Sequence, residues 1–548
     1  MLYYDGPDPH PTSGSLGRRL ASCSTLACDV ETVSLKDRTL LGIGIATSPD
    51  EAFYVTVDDP EFTTLAHAFL TNPYTLILHN AHFDLPLIQA TIGGPPAFAY
   101  NVIDTLIAAQ LIGLRPDLAS LCLDLFGYLK PPITDLIGKG KNQKTMAEVP
   151  VQDVAERCCL DARMTYQVWE HIKPNVPKAA LELELQVLPI LIEVEKRGIL
   201  VDQDRLALEI KKAETQVAFY GALAAREDVN PRSPKQVAAK LKERGHTLTY
   251  NYQTGNPVTN DDALRMYHWD DPLSHIILFA RKCSHTLSWF EAIRDKHLQA
   301  DGRIHANFHQ TITDSGRVAS SKPNMQNAEE PHRVVFVASP GNEAYSADFS
   351  QIEYRVLAWA SGDSKLQQVY ANPLGDIHTD TALRLNVPRR IAKNVNFSLL
   401  YGGDEHTMYT RYNIPLDQGK ALLLDHRMTY RELWGWVDEQ KEGVRRKGYI
   451  ETLMGRRRYF PHAQSDWGKE AAKALREAIN HPIQGSAAEI QKKAMVAWAK
   501  HPQTNNIHDD TWFDKPLGEV IGEPGALAPF DAPLKRKRGA NFGEIYDA

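Results

Sequence analysis

Cysteine is scarce in this chain, and its six cysteines show neither zinc-site spacing nor the pattern of a disulfide framework. They are Cys23, Cys28, Cys122, Cys158, Cys159 and Cys283, for which we expect reduced and mostly buried thiols. No apolar run approaches the roughly 20 residues that cross a bilayer. The first residues, MLYYDGPDPHPTSGS, lack the apolar core of a signal peptide. These absences argue against a secreted or membrane protein and predict a cytoplasmic location.

An excess of positive charge is also missing, because 61 Lys and Arg residues stand against 68 Asp and Glu residues. The net charge of −7 argues against a simple basic coat protein for nucleic acid. It does not exclude an enzyme that contacts nucleic acid through a local positive groove. Two basic runs, RRKGYIETLMGRRR at 445–458 and KRKR at 535–538, are expected to be solvated surface segments rather than binding sites.

The hydrophobic pattern predicts several structural units of mixed type, for which 548 residues are sufficient. Short apolar runs between 25 and 80 (TLACDV, LLGIGIATS, AFYVTV and TLILHN) predict strands of an α/β unit. Helical periodicity then dominates 178–300, with little strand signal. Strands return at VVFVAS and EAYSAD, helices fill 377–445, and IETLMGRRRYF predicts a hairpin. The expected fold class is therefore α/β and α+β, with several domains.

The segment RRIAKNVNFSLLYGG carries cations and aromatic rings at intervals of four residues: Arg389, Lys393, Phe397 and Tyr401. In a helix this interval keeps side chains on one face. Cations suit a triphosphate, and aromatic rings suit a base. The segment therefore predicts a nucleotide-binding helix, although core packing is the more common role for a single residue such as Phe397.

Two carboxylates flank this helix in the sequence. Asp348, in YSADFSQIEYR, ends a predicted strand, and Asp509, in NNIHDDTWF, lies in the turn of another. A sheet can bring both together to share two Mg²⁺ ions, as phosphoryl transfer requires. Because neighbouring residues of a strand point to opposite faces, Asp510 is expected to support the site rather than bridge the ions. The pattern predicts a nucleic-acid polymerase.

A second carboxylate set lies nearer the N-terminus. Asp29 and Glu31 leave the same face of a predicted strand, Asp84 follows the strand TLILHN, and Asp161 lies in a predicted helix. Any one of them alone is more simply explained as a solvated carboxylate. Together, four carboxylates on three elements can bind two divalent metals and hydrolyse a phosphodiester.

Residues from about 20 to 175 resemble 3′–5′ exonuclease domains of the DnaQ-like kind. The resemblance rests on these carboxylates and on Asn80, Phe83, Asp104 and Thr105. The proofreading domains that the segment resembles have tyrosine four residues before the last aspartate, where this chain has Arg157. Arginine stays protonated and has no acceptor, but one helical turn from Asp161 it can pair with that carboxylate. We therefore expect retained metal binding and slower hydrolysis than with tyrosine.

From residue 305 onward, seven successive blocks resemble family A DNA polymerases, the group that contains bacterial DNA polymerase I and many phage replicases. The blocks are HANFHQTITDSGRVASSKPNMQN, YSADFSQIEYRVLAWASGD, GDIHTDTA, RRIAKNVNFSLLYGG, GYIETLMGRRRYFP, REAINHPIQGSAAEIQKKAM and NIHDD. The resemblance implies an RNase H-like exonuclease domain (1–175) and then a right-hand polymerase. Its expected parts are a thumb (176–300), a first part of the palm (301–375), fingers (376–450) and a second part of the palm with the C-terminal tail (451–548).

The resemblance also implies roles for individual residues. The expected dNTP contacts are Arg389, Lys393, Phe397, Tyr401, His378, Glu353 and Gln351. The expected DNA contacts are Arg317, Arg476, Asn480, Gln484 and His508. The expected catalytic residues are Asp348, Asp509, Asp510, Lys393, Asp29, Glu31, Asp84 and Asp161, and all of these except Asp510 and Lys393 are expected metal ligands. Lys393 is expected to protonate the departing pyrophosphate.

The resemblance assigns substrate selection to two of these residues, Glu353 and Phe397. Glu353 stands in the family's position for excluding a ribose 2′-hydroxyl, which implies synthesis of DNA, and Phe397 implies discrimination against chain terminators. Pro482 is expected to break any helix there, which leaves a capping role open for Asn480. The chain departs from the family pattern at Asp510, where glutamate is usual, at Ser398, where glycine is usual, and in a short stretch from 484 to 508.

The resulting prediction is a DNA-templated DNA polymerase with an attached 3′–5′ exonuclease, using two Mg²⁺ per active site, for which Mn²⁺ can substitute. Its expected partners are primer–template DNA and dNTPs, without a membrane. We expect a monomer and leave accessory replication proteins open. Compact size and the lack of a 5′-nuclease region before residue 20 suggest a phage or plasmid replicase in a bacterial or phage-infected cytoplasm.

Two alternatives remain open from sequence alone. A DNA-binding protein with a decayed polymerase site is disfavoured by the intact Asp348, Lys393 and Asp509. A single-subunit RNA polymerase is disfavoured by the exonuclease segment and by Glu353.

Overall fold

The computed structural model divides the chain into two compact units. It describes residues 2–6, 15–93, 101–251, 254–268, 271–372, 375–400, 403–412, 414–465, 468–507, 510–521, 534–539 and 546–547. The N-terminal unit comprises residues 1–193, 309–317 and 451–459. The C-terminal unit comprises residues 194–308, 318–450 and 460–548. Within the described ranges, every helix is too short or too polar to serve as a membrane span.

The N-terminal unit is built on a mixed sheet with the strand order β1-β4-β3-β2-β5-β6. The strands are β1 (Leu2–Asp5), β2 (Thr25–Thr32), β3 (Leu40–Ser48), β4 (Glu51–Thr56), β5 (Thr75–Leu78) and β6 (Asn101–Asp104). The helices are α1 (Ser15–Ser22), α2 (Pro60–Thr71), α3 (Ala81–Ile92), α4 (Thr105–Leu111), α5 (Leu118–Phe126), α6 (Thr134–Ile137), α7 (Val151–Ile172) and α8 (Lys178–Arg197). The predicted α/β unit with adjacent strands β2, β3 and β4 is confirmed.

Alternation along β2 decides where its carboxylates point. Leu26 and Cys28 belong to one buried cluster, and Ala27 belongs to the cluster that packs on α7. Because strand side chains alternate between faces, Asp29 and Glu31 share the α7 face with Ala27. Helix α7 lies close to the sheet at Gly44, where a Cβ would be 2.8 Å from the carbonyl oxygen of Cys158. The sheet and α7 therefore bring the carboxylates of β2 next to those of α7.

The elements that follow along the chain are mostly helical. The helices are α9 (Gln203–Arg226), α10 (Pro234–Glu243), α11 (Asp261–His268), α12 (Pro272–Ala292), α13 (Glu330–Arg333), α14 (Ile352–Ser361), α15 (Ser364–Tyr370), α16 (Ile377–Leu385), α17 (Arg389–Leu400), α18 (Glu405–Tyr412), α19 (Leu416–Thr429), α20 (Arg431–Lys447) and α21 (Gly468–Ala497). The strands are β7 (Ile199–Val201), β8 (Arg303–Ile304), β9 (Asn307–His309), β10 (Ala319–Ser321), β11 (Phe336–Val337), β12 (Asn342–Phe349), β13 (Tyr449–Glu451), β14 (Arg457–Tyr459), β15 (Gln503–Ile507), β16 (Asp510–Pro516), β17 (Leu534–Gly539) and β18 (Tyr546–Asp547).

The central sheet of the C-terminal unit has the strand order β15-β16-β12-β17-β18. Its main buried cluster joins β12 to α14, α20 and α21, so the strand that ends near Asp348 is anchored by helices. The predicted strand–helix sequence from β12 to α14, the predicted helix at 389–400 and the predicted hairpin β13–β14 are confirmed.

Pro482 does not break a helix, and that prediction is wrong. Helix α21 runs without interruption from Gly468 to Ala497 with Pro482 inside it. An interior proline costs roughly 3 kcal/mol, but Ile479 and Ile483 on either side of it are buried in the main cluster. Fully burying one such side chain contributes about 1.5–3 kcal/mol, so packing offsets the proline. Asn480 is consequently an interior helix residue rather than a cap.

The basic run 445–458 is not uniformly solvated, because Arg456 is only 1% exposed. Arg456 forms an ion pair with Glu184, also 1% exposed, and donates a hydrogen bond to the side-chain oxygen of Gln110. Gln310 donates to the other Glu184 oxygen at 2.6 Å. Gly316 has φ +75° and leaves room for this arginine, since a Cβ there would lie 2.5 Å from its Nε.

These buried contacts explain why residues 309–317 and 451–459 belong to the N-terminal unit. From sequence, both segments were expected in the palm, and the exonuclease-like segment was expected to end at 175. The compact unit extends through Glu193, and because compactness does not mark functional boundaries, the boundary at 175 stays a prediction. The five-part division of the chain stays a proposal.

Candidate active sites

The central sheet of the C-terminal unit places Asp348 directly opposite Asp510 in the antiparallel pairing of β12 and β16. Cross-strand partners leave the same face of a sheet, so both carboxylates project to one side. The supporting role of Asp510 was predicted from its alternation with Asp509 rather than with Asp348, so it stays a prediction. Asp509 and His508, which lie between β15 and β16, are outside the described residues.

Three donors surround Asp510, which is 8% exposed. Its Oδ1 accepts from the Ser346 hydroxyl at 2.5 Å. Its Oδ2 accepts from the Trp512 indole nitrogen at 2.8 Å and from Arg333 at 3.4 Å. A carboxylate with both oxygens engaged is poorly available as a metal ligand, so these contacts favour the supporting role predicted for Asp510.

The KRKR run forms strand β17 beside β12 rather than an isolated surface segment. Lys535 pairs with Asp348, and Lys537 pairs with Ser346, so both lysines share a face with the candidate catalytic carboxylate. Lys535 is exposed. This edge of the sheet therefore combines carboxylates with cations, as a site for a metal-bound polyphosphate requires. Sequence pattern alone missed this because pairing between distant strands is not visible in it.

Helix α14 begins next to Asp348 and carries the expected sugar-selecting residue. Gln351, the N-cap, has φ 53°, and its side-chain oxygen accepts from the Tyr370 hydroxyl at 2.9 Å. Glu353 lies in the first turn of the helix and is partly exposed. Tyr354 is buried and contacts the ring of His378 edge-on at 5.5 Å. The start of α14 is thus held by side chains from α15 and α16.

His378 connects α14 to the predicted nucleotide helix. Its Nδ1 lies 3.1 Å from the side-chain nitrogen of Asn396 on α17. Burial lowers the pKa of His378 to about 4, and the charges of Arg389 and Lys393 act in the same direction. The ring is therefore neutral near pH 7 and accepts from Asn396 at Nδ1. Asn396 was not singled out from sequence, because it lies on a different face from the four-residue series.

The cations of α17 sit where the helix begins. Arg389 forms an ion pair with Asp376 at 2.7 Å, and Lys393, one turn further on, is exposed. Phe397 is described for its backbone only, and Tyr401 lies outside the described residues. The two cations expected to bind phosphate, Arg389 and Lys393, therefore lie on one described helix. The nucleotide contacts assigned to these two residues and to Phe397 and Tyr401 stay predictions.

The expected DNA contacts divide between the two units. Arg476, Asn480 and Gln484 lie at four-residue intervals on α21 and therefore share one helix face. Arg476 also lines a cavity of about 190 Å³ together with Tyr354 and Asn396. Arg317 belongs to the N-terminal unit, where its carbonyl accepts from the Thr313 hydroxyl at 2.7 Å.

In the N-terminal unit, Asp29 and Glu31 of β2 meet Cys158 of α7, with ligand atoms within 4.8 Å of one another. The Cys158 thiol lies 3.4 Å from Oδ2 of Asp29. Burial, and then the charge of Asp161, raises the pKa of Asp29 to about 7. Burial likewise raises the pKa of Glu31. Crowded carboxylates of this kind are stabilised by a bound cation. Cys158 was counted only as a buried thiol from sequence.

Asp84 is positioned by the residues that the exonuclease resemblance singled out. Asp104 accepts from the backbone nitrogens of Asn80 at 3.2 Å and Ala81 at 2.8 Å, which fixes the start of α3. Asp84 follows in the first turn and is 4% exposed. Burial, and then the charge of Asp29, raises its pKa. Among the described residues, its Oδ2 has no hydrogen-bond partner.

Asp161 differs from the other three carboxylates because two cations contact it. Nε of Arg157 lies 3.1 Å from its Oδ2, which confirms the pairing predicted from the four-residue spacing. Nζ of Lys130 lies 2.8 Å from its Oδ1. Lys130 follows α5 in a loop and belongs to no motif, so its contact with Asp161 could not be predicted from sequence.

Comparison with known proteins decides the family. The profile described as DNA polymerase family A matches residues 201–520, and the profile described as 3′–5′ exonuclease matches residues 11–177. The chain belongs to DNA polymerase family A. The predicted combination of an N-terminal exonuclease domain with a polymerase is thereby confirmed at the level of family.

Family A relatives of this chain include bacterial DNA polymerase I proteins. DNA polymerase I of Chloroflexus aurantiacus is 31% identical over 93% of this chain and 59% of its own length. DNA polymerase I of Pseudomonas aeruginosa is 27% identical over 96% of this chain and 64% of its own length. The chain thus spans less than two thirds of either relative.

A solved structure has the same fold. It is described as the POL domain of Pol1 from M. smegmatis in complex with DNA primer-template and dNTP. It aligns with a TM-score of 0.83 and 24% identity over 98% of this chain and 99% of that structure. The likeness confirms the predicted mixed multidomain fold.

Family A polymerase and exonuclease domains generally use divalent metals, and the two sites fit such ions differently. Asp348, half-buried near the C-terminal end of the central strand β12, offers the oxygen ligands that hard divalent cations prefer. In the exonuclease domain, Asp29, Glu31 and the buried Oδ2 of Asp84 are suitable donors. Asp161 does not fit as readily, because cations already contact both of its oxygens.

Proposed function

We propose that this chain is a DNA-templated DNA polymerase that adds dNTPs to a primer 3′ end and carries a 3′–5′ exonuclease domain. The observation that supports it most is the sheet edge at Asp348, which faces Asp510 and Lys535 and adjoins α14. Its proposed partners are primer–template DNA and dNTPs, its proposed metal is Mg²⁺ with Mn²⁺ as a substitute, and its proposed state is a monomer in the cytoplasm.

In this proposal, Asp348 and Asp509 would hold Mg²⁺, which when bound would lower the pKa of the primer 3′-hydroxyl and neutralise charge on the triphosphate. The residues of the chain bind and orient the substrate. Arg389 and Lys393 bind the phosphates, and Arg389 exchanges its ion pair with Asp376 for the incoming anion. Lys393 protonates the departing pyrophosphate. Asp510 fixes the geometry of the sheet edge through Ser346 and Trp512.

The selection of each nucleotide in this proposal depends on helices α17 and α21. Phe397 and Tyr401 stack on the incoming base. Arg476, Asn480 and Gln484 check the shape of the base pair from the minor groove, where acceptors are nearly the same for all pairs. A templated enzyme of this kind must add only the complementary nucleotide.

Primer extension with one dNTP at a time tests the proposal. With Mg²⁺ and a template of defined sequence, only the nucleotide complementary to the next template base should extend the primer. Extension that ignores the template would contradict templating. Bound primer–template without any extension would favour the decayed DNA-binding alternative.

Removing the side chain of Glu353 is expected to relax sugar selection. In the Glu353→Ala variant, the preference for dNTP over rNTP, measured as the ratio of kcat/KM, should fall roughly tenfold to a hundredfold, because the space for a 2′-hydroxyl opens. Glu353→Gln keeps nearly the same volume without the charge and should retain most of the discrimination. Equal discrimination in all three proteins would show that Glu353 does not select the sugar.

A further inference from the structure

In the exonuclease site, Asp161 differs from the other three carboxylates because it forms ion pairs with two cations. Lys130 approaches one carboxylate oxygen at 2.8 Å, and Arg157 approaches the other at 3.1 Å. Arg157 is further fixed because its Nη1 donates to the carbonyl of Pro131 at 2.6 Å. The side chains of Lys130 and Arg157 are only 7% and 13% exposed.

Freeing Asp161 for a metal would be costly. A partly buried ion pair that loses one partner leaves an uncompensated charge behind, and both cations would have to move away. An incoming divalent cation would also be repelled by two fixed positive charges within a few ångströms. Asp161 is therefore a poor ligand as long as Lys130 and Arg157 remain in place.

The charge balance of the site agrees with one ion rather than two. Asp29, Glu31, Asp84 and Asp161 contribute four negative charges when ionised, and Lys130 and Arg157 contribute two positive charges. Asp104, whose charge also acts on Asp84, is left out of this count because four backbone hydrogen bonds already stabilise its carboxylate. The remaining two negative charges equal the charge of a single divalent cation. Two such cations would leave a poorly solvated site with an excess of positive charge.

The donors that remain are sufficient for one ion. Asp29 and Glu31 place ligand atoms within 4.8 Å of each other and of the Cys158 sulfur. Asp84 lies outside that group of ligand atoms, but the charges of Asp29 and Glu31 act on it, and its buried Oδ2 has no hydrogen-bond partner among the described residues. The carboxylate that pairs with the two cations is separate from the carboxylates available to a metal ion. Asp161 lies on α7, whereas the available carboxylates lie on β2 and α3.

We propose that the exonuclease domain binds a single divalent cation through Asp29, Glu31 and Asp84, and that Lys130 and Arg157 hold Asp161 in ion pairs in place of a second cation. This single-cation proposal rests on the proposed exonuclease function and concerns how many metal ions balance the carboxylates of that site. It extends the expectation drawn from Arg157 alone, because Lys130 completes the arrangement. The consequence is a domain that retains a metal and excises primer ends slowly.

Counting bound Mn²⁺ tests the proposal directly. The full chain carrying Asp348→Asn, which weakens the polymerase site, is titrated with Mn²⁺, and free ion is followed by electron paramagnetic resonance. A single-stranded oligonucleotide with a 3′-terminal phosphorothioate linkage is present, so that ligands from a substrate phosphate are available. In this background, adding Asp29→Asn should remove one bound ion. Adding Lys130→Met and Arg157→Met together should add one bound ion.

A matched pair of variants separates ligation from general electrostatics. Asp29→Asn and Asp161→Asn each remove one negative charge, but only Asp29 is a ligand in this proposal. Asp29→Asn should weaken Mn²⁺ binding at least roughly a hundredfold. Asp161→Asn leaves Lys130 and Arg157 uncompensated near Asp29 and Glu31, so it should weaken binding through charge alone and by a smaller factor, roughly tenfold. Thermal unfolding of each variant identifies any that fail to fold, and the Asp161→Asn comparison does not depend on the double variant.

The outcomes are distinguishable. Loss of two ions with Asp29→Asn, no gain with the Lys130→Met and Arg157→Met variant, or equal weakening by Asp29→Asn and Asp161→Asn would each overturn the proposal. Loss of no ion with Asp29→Asn would mean that the domain binds no metal, which would count against the proposed exonuclease function itself.

Discussion

Replacing Arg456 with methionine is expected to destabilise the N-terminal unit by about 3–5 kcal/mol. The substitution leaves Glu184, which is 1% exposed, as an uncompensated buried charge and removes a donor from Gln110. Methionine fills similar space, so the loss reports charge and hydrogen bonding more than a cavity. Hydrogen exchange of backbone amides in β2 and α7 measures the free energy of opening of this unit.

The adjacent arginine provides the matched control for this prediction. Arg457 pairs with Glu451 at 2.9 Å, but both side chains are about a third exposed. Arg457→Met should therefore cost at most about 1 kcal/mol. Combining Arg456→Met with Glu184→Met removes both charges and should recover much of the loss. Equal effects of Arg456→Met and Arg457→Met would show that the buried ion pair does not stabilise the unit.

The elements around the polymerase site could be predicted from sequence where the signal is local. The strand β12, the helix α14 and the helix α17 follow from alternation and four-residue periodicity, and all three are confirmed. The pairing of Arg157 with Asp161 also follows from local spacing. Within one helix or strand, the order of residues fixes which side chains are neighbours.

Contacts between distant segments could not be read from the pattern. Lys130 and Asp161 are far apart in sequence, and nothing in the loop after α5 marks Lys130 as a partner. Three consecutive arginines at 456–458 appear equivalent in sequence, yet the fold buries the first beside Glu184. The pairing of Lys535 with Asp348 likewise depends on which distant strand pairs with β12.

One expectation failed because packing outweighed a local rule. Pro482 is accommodated inside α21 because Ile479 and Ile483, on one face of the helix, are buried in the main cluster. The supporting role expected for Asp510 stays a prediction, and antiparallel register places Asp510 on the same face as Asp348. Neither the packing around Pro482 nor the register of β12 and β16 can be read from the residues near them in sequence.

Replacing Asp348 with asparagine is expected to reduce primer extension roughly a thousandfold or more. Asparagine has nearly the same shape but lacks the charge that balances a divalent cation, so the loss reports metal binding rather than folding. Asp438 on α20 provides the control, since its side chain is 74% exposed and pairs only with Lys441 among the contacts described. Asp438→Asn should retain activity close to that of the unaltered protein.

Single-turnover addition of one templated dNTP, with primer–template affinity measured on the same samples, decides whether the chain is a DNA polymerase that depends on Asp348. We expect addition by the unaltered protein and by Asp438→Asn, and a roughly thousandfold slower addition by Asp348→Asn with DNA affinity largely retained. Bound DNA without addition by the unaltered protein, or equal rates for the unaltered protein and Asp348→Asn, would contradict the proposed polymerase function.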